Sequence, residues 1–214
     1  MTKLLVAIPT LSRADLLVRN KEFLEGVREP DEVLILDNGR QRIDISVPIE
    51  ISSFNRGVSW SWNFFLRRAF ISRNFDGLVI LQDDIIWDAA RLEAARRLIE
   101  TKHDVDLFLS FLQFSVQVHR PDNVESIGFF DERFTPAYCE DDDYAILMTS
   151  LGRVYERFEE LDPLPGSISE GTSKSLGVDW NAQNRKLFEK WGSKAFGVNI
   201  PHAPWYRTNR GIRF

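Results

Sequence analysis

An open α/β sheet, mostly parallel and covered by helices on both faces, is the architecture this sequence predicts. Three observations carry it. Residues 4–8 (LLVAI), 33–36 (VLIL) and 78–81 (LVIL) are apolar without alternation, which is how a strand reads when both of its faces are buried. Segments with helical periodicity lie between these runs, so strand and helix signals alternate as they do in βαβ units. Polar side chains follow each run directly, at the carboxyl ends of the strands, where open α/β sheets bind ligands.

Each element follows in order. After the first strand come Pro9, Thr10 and Arg13. Ser12-Arg13-Ala14-Asp15 then reads as a capping box for a helix to about Gly26, with Leu16, Leu17, Phe23 and Leu24 facing inward. The second strand ends in Asp37-Asn38-Gly39, of which Asn-Gly is also an ordinary turn pair. Residues 60–71 give a second helix, and Asp88 can cap a third running to about Lys102. Residues 106–118 are rich in Phe, Leu and Val and read as one or two strands, with a turn at 119–123. His103 and His119 read as surface residues. A helix follows Glu140-Asp141-Asp142-Asp143 and ends at Gly152. Residues 165–177 are rich in Gly, Ser and Thr and lack core-facing periodicity, so they read either as disordered or as a mobile functional loop. Residues 179–191 look like a last helix, and the tail mixes Trp205 and Tyr206 with Arg207, Arg210 and Arg213.

Composition narrows the function. A 43% hydrophobic chain of 214 residues can bury a real core. A net charge of −5 argues against a binder of nucleic-acid phosphates. One cysteine, Cys139, excludes an internal disulfide and reads as a buried structural thiol in a reducing compartment. The apolar start is too short for a signal peptide and no run reaches the length of a membrane helix, so the expectation is a soluble, cytoplasmic protein without an integral membrane segment. Neither G-x-G-x-x-G nor a P-loop pattern occurs.

Two acidic sites remain: Gln82-Asp83-Asp84 at the end of an apolar run, and Glu140 to Asp143 after Gly128-Phe129-Phe130-Asp131-Glu132-Arg133-Phe134. Four consecutive carboxylates repel one another, and such crowding raises the proton affinity of at least one. A solvated helix cap is the bland alternative.

Taken together, Pro9-Thr10 with Arg13, Asp37-Asn38-Gly39, Asn55-Arg56-Gly57 with Asn63, Gln82-Asp83-Asp84, residues 128–134 with Glu140-Asp141, and Gly152 resemble, in order, the motifs of GT-A-fold glycosyltransferases of the inverting family 2 type. The resemblance covers about three-quarters of the chain. It implies a single GT-A (Rossmann-like) domain. Residues 1–102 would form the nucleotide-binding half, 103–178 a smaller acceptor-side β and loop region, and 179–214 a C-terminal helix and tail.

It also implies roles. Asp84 is the ligand of Mn2+ or Mg2+, and Asp83 supports the ribose or a metal-bound water. Thr10, Arg13 and Arg56 line the nucleotide pocket, Arg56 against a phosphate, and Asp37 meets the nucleobase or ribose. Pro9, Asn38, Gly57, Asn63 and Gln82 complete the donor side. Asp141 is the general base, Glu140 touches a sugar, and Asp143 is the fallback base. The family's downstream metal histidine has no counterpart here; Glu170 or His202 is the substitute. A nucleotide sugar, by default UDP-linked, is the implied donor. The acceptor is a glycan, a protein or a lipid-linked sugar, with peripheral membrane contact by the tail open.

Two other readings stand beside this one. A nucleotidyltransferase on a related sheet is disfavoured because residues 9–13 contain no glycine. A catalytically silent sugar-nucleotide or glycan-binding module is motivated by Gln82 and the missing histidine, and is opposed by the presence of Asp84, Glu140 and Asp141.

Overall fold

In a computed structural model, which describes residues 2–11, 13–72, 75–167 and 178–192, strand β1 (Leu4–Thr10) lies inside a seven-stranded sheet. The other strands are β2 (Glu32–Asp37), β3 (Ile49–Ile51), β4 (Gly77–Leu81), β5 (Leu107–Ser110), β6 (Gln113–His119) and β7 (Tyr155–Arg157), in the order β3-β2-β1-β4-β6-β5-β7. Every pairing is parallel except those of β6, which runs antiparallel to both β4 and β5.

The unbroken apolar runs are explained by two cores. Leu4, Val6 and Ile8 of β1 face one cluster with Val79 and Leu81, while Leu5 and Ala7 face another with Leu78 and Ile80. The first core is covered by α1 (Ala14–Leu17), α2 (Lys21–Gly26) and α4 (Ala89–Thr101), the second by α3 (Val58–Leu66) and α6 (Glu140–Ser150). A small third cluster joins Phe134, Cys139 and Ile146 to Leu187 of α7 (Trp180–Trp191). Cys139 is buried.

Several expectations are corrected. The helix expected from Ser12 to Gly26 is two helices, with Val18–Asn20 forming a tighter 3-10 turn between them. Ser12 lies outside the described residues, and Arg13 at the cap position makes no side-chain cap; the Ala14 N–H instead donates to Gln41 Oε1 at 2.8 Å. The turn expected at 119–123 is the end of β6 followed by α5 (Pro121–Ser126), since proline suits the first turn of a helix. His119 is fully buried rather than on the surface; neutral imidazole fits, with Nε2 3.0 Å from Gln117 Oε1 and Nδ1 3.4 Å from Asn123 Nδ2. Asp88 caps α4 as expected, accepting from the Arg91 N–H at 3.0 Å. No described helix is long and apolar enough to cross a membrane.

Candidate active site at the carboxyl edge of the sheet

The loops after β1, β2, β3 and β4 leave one edge of the parallel strands, and hydrogen bonds tie them to each other. Thr10, the last residue of β1, donates from Oγ1 to Asp83 at 2.8 Å and accepts from Gln41 Nε2 at 3.1 Å. Asp37 is fully buried; its two oxygens accept the N–H groups of Gly39 at 2.7 Å and Gln41 at 2.8 Å. Its observed work is therefore to shape the turn after β2, and a nucleobase contact would fall to its remaining lone pairs. Asn38 Nδ2 donates to Ser61 Oγ at 3.0 Å, and Ser61 in turn donates to the Gly57 carbonyl at 2.8 Å.

The turn after β4 is held from below by Asn20, which accepts the Trp87 N–H at 2.9 Å and donates to the Ile85 carbonyl. Gln82 closes the turn with its carbonyl, accepting from the Ile85 N–H at 3.2 Å. Asp83 and Asp84 are thereby presented side by side. Burial raises the proton affinity of Asp83, with the Thr10 bond opposing it. Burial and then the adjacent Asp83 charge push Asp84 up to about 6. Asp84 Oδ1 is buried without a hydrogen-bond partner, a costly state for a carboxylate oxygen. Arg13 and Arg19 contribute favourable charge to Asp84, and Arg19 also donates to the Gly166 carbonyl.

That unpaired oxygen suits a hard divalent cation. Among the described residues no three His, Cys, Asp or Glu side chains gather as a metal site. A cation here would be held by Asp84, with phosphate and water oxygens filling most positions, as Mg2+ and Mn2+ commonly accept. Glu170 and His202 lie outside the described residues. Ser167 meets this same turn: its Oγ accepts the Ile86 N–H at 2.9 Å.

The second acidic site is coupled to this edge through Gly57. The Val58 N–H donates to the Pro136 carbonyl at 2.9 Å, and a Cβ on Gly57 would stand 2.7 Å from Thr135 Oγ1. Asn63 is buried and grips Phe130, donating to its carbonyl at 2.9 Å and accepting its N–H at 2.8 Å. It thereby fixes the 128–134 loop. Arg56 is exposed, its guanidinium lying between the rings of Phe54 and Trp60 at 4.6 and 4.7 Å. Stacking of this kind presets a guanidinium for planar, bidentate partners.

All four acidic residues fall in the first turn of α6, where the helix dipole favours negative charge. They then part company. Glu140 is buried with Oε2 lacking a hydrogen-bond partner, and burial, followed by the Asp141 charge, holds its carboxyl well above the usual range. Asp141 is half-buried and accepts the Asp142 N–H at 2.9 Å. Asp143 turns away to α7, where Lys190 Nζ lies at 2.8 Å and Trp191 Nε1 donates to it at 2.6 Å. Gln41, Asn20 and Lys190 were missed in the sequence. A signal existed for Asn20, which sits on the inner face between Leu17 and Leu24 where an apolar residue belongs. A separate cavity of 530 Å³ beside Glu32, Glu50 and Arg68 contains none of the candidate residues.

No protein-family model matches the chain. Over 67 residues, 31% of its length, it is 39% identical to a galactofuranosyl glycosyltransferase of Leishmania donovani, of which the match covers 14%. Among solved structures it is similar to the mannosyltransferase PcManGT of Pyrobaculum calidifontis in complex with GDP-Man and Mn2+, with TM-score 0.62 and 15% identity over 92% of this chain and 64% of that one. TarS of S. aureus gives TM-score 0.60 and 11% identity over 100% of this chain and 46% of that one. A Drosophila β1,4-galactosyltransferase 7 in complex with manganese, UDP-Gal and xylobiose gives 0.52 and 16% over 80% and 68%. The chain thus spans less than two-thirds of the curated relative and of the first two structures. It has the GT-A glycosyltransferase fold.

Proposed function

We propose that this domain transfers a sugar from a nucleotide sugar to an acceptor hydroxyl with inversion at the anomeric carbon. The observation that carries the reading is the pair of buried, unpartnered carboxylate oxygens, Asp84 Oδ1 in the turn after β4 and Glu140 Oε2 in the first turn of α6, on a GT-A fold. A fold alone does not imply a function; polar atoms left unpaired at these two places point to ligands that complete them.

The geometry supports the following division of labour. Residues 1–102 form the donor half, where Thr10, Arg13, Asn38 and the turn shaped by Asp37 frame the nucleotide, and stacked Arg56 meets a phosphate. Asp84 would hold Mn2+ or Mg2+, which when bound neutralises the charge of a leaving diphosphate. Glu170 is three residues beyond Ser167, a span of at most about 11 Å, which keeps it a candidate for a further ligand; His202 is the alternative. Asp141 takes the proton of the acceptor hydroxyl as its oxygen bonds to the anomeric carbon. The bond from that carbon to the diphosphate breaks, and its electron pair leaves with the nucleoside diphosphate. Glu140, whose proton affinity burial raises, touches a sugar. UDP is the default nucleotide, and a glycan, protein or lipid-linked sugar is the acceptor.

Asp141→Asn tests the base. It should retain donor binding and lose transfer by about two to four orders of magnitude, with inverted product from the wild-type enzyme by NMR. Near-normal turnover in the variant removes Asp141 from the role, and a retained anomeric configuration rules out the single displacement.

A further inference from the structure

We propose that α7 is a splint for the acidic block, and that Asp143 is the positioning residue through which it sets Glu140 and Asp141. The inference rests on the reading of those two residues given above. It starts from backbone strain: Tyr138 and Cys139, the two residues leading into α6, both have positive φ, at 79° and 68°. Neither is glycine, and side chains hold that conformation only where the surroundings enforce it.

The surroundings that do so belong to α7, turn after turn. In its first turn Trp180 packs its ring 3.7 Å from that of Tyr138. In the second, Gln183 donates to the Thr135 carbonyl at 2.9 Å, and Asn184 Oδ1 lies 3.5 Å from Cys139 Sγ. Lys186 then reaches the Arg133 carbonyl at 2.8 Å, while Leu187 packs on Phe134 and Cys139. In the last turn Lys190 Nζ lies 2.9 Å from Asp131 and 2.8 Å from Asp143, and Trp191 closes on Asp143. One helix face therefore follows the chain from 131 to 143.

The charges give the splint its purpose. Four neighbouring carboxylates tend to splay apart, and Lys190 is the cation that draws one of them inward. Asp143 is 1% exposed, so its charge depends on Lys190 and on the Trp191 donor. Asp143 is one helical turn from Glu140, so fixing Asp143 fixes the rotation of the first turn of α6 and the direction in which Glu140 and Asp141 point. A carboxylate engaged in this way is no general base, which is the role its sequence position invites.

The test uses the full chain with Lys190→Met, Trp191→Phe, Asp143→Asn and Asp143→Ala. Without any substrate, hydrogen exchange of residues 131–143 should speed by at least about tenfold in Lys190→Met and Trp191→Phe while β1 and β4 stay protected. In transfer assays those two variants should lose about 10- to 100-fold in kcat with donor KM within twofold, the scale of a displaced reacting group. Asp143→Asn, which keeps an oxygen for Trp191 and Lys190, should recover most of the kcat that Asp143→Ala loses. Unchanged exchange at 131–143 in both α7 variants overturns the splint. An Asp143→Asn variant as inactive as Asp141→Asn overturns the positioning role. An inactive wild type refutes the transferase reading instead, and the exchange result still decides the splint.

Discussion

Asn20 and His119 show how single polar residues are read in this fold. Asn20 is buried and spans from the 3-10 turn to Ile85 and Trp87, so one amide supports the loop carrying Asp84 at two backbone positions. His119 is buried at the end of β6, and desolvation lowers its pKa to about 3. Its unfolded value lies near 6.5, so between pH 6.5 and 3 the unfolded chain binds the extra proton and stability falls as pH drops. From pH 6.5, where the unfolded histidine is half-protonated, to pH 5 the loss amounts to about 1.6 kcal/mol. The buried carboxylates Glu140 and Asp143, whose proton affinities are raised, act in the opposite direction, so the readout is a difference. Thermal melts of His119→Gln should be less acid-sensitive than wild type by that amount; equal sensitivity would place the histidine's proton elsewhere. At this scale Asp84 and Glu140 were legible from type and order. The partners of Asp143 were not, because Lys190 and Trp191 are 47 and 48 residues away and only folding brings them together.

At the scale of elements, α3 and the loop before it connect the two acidic sites. Gly57 has φ +89°, and a Cβ there would meet Thr135 Oγ1 at 2.7 Å and the Pro136 carbonyl at 2.8 Å. Both the backbone conformation and the close approach require glycine. Gly57→Ala should cost about 1–3 kcal/mol and lower the melting midpoint by roughly 2–12 °C for a chain of this size. A melting midpoint equal to wild type would mean that the loops do not meet as described. The core strands β1, β2 and β4 were legible because burial on both faces leaves an unmistakable apolar run. The short edge strands β3 and β7 were not: Ile49–Ile51 and Tyr155–Arg157 are three residues each and partly exposed, too short for any period to show. The single helix expected before Gly26 failed because Asn20 needs the tighter turn to reach the β4 loop.

At the scale of the molecule, one sheet runs through the described residues, with the antiparallel β6 joining the β3-β2-β1-β4 block to β5 and β7. The loops after β1, β2, β3 and β4 leave the parallel strands at one edge, and the hydrogen bond from the Val58 N–H to the Pro136 carbonyl ties the start of α3 to the segment that leads into the acidic helix. On the proposed function, Asp84 supports metal-dependent nucleotide binding. This is tested most directly by the thermal midpoint of the wild-type chain and of Asp84→Asn with UDP and GDP, each in Mn2+ and in EDTA. A nucleotide at 100 times its Kd adds about 2.7 kcal/mol of stability, or roughly 5–11 °C for a chain of this size. That shift is expected for wild type with at least one nucleotide in Mn2+, and little or none in EDTA or in Asp84→Asn. Equal shifts under all three conditions, or none with either nucleotide in Mn2+, would contradict this role of Asp84.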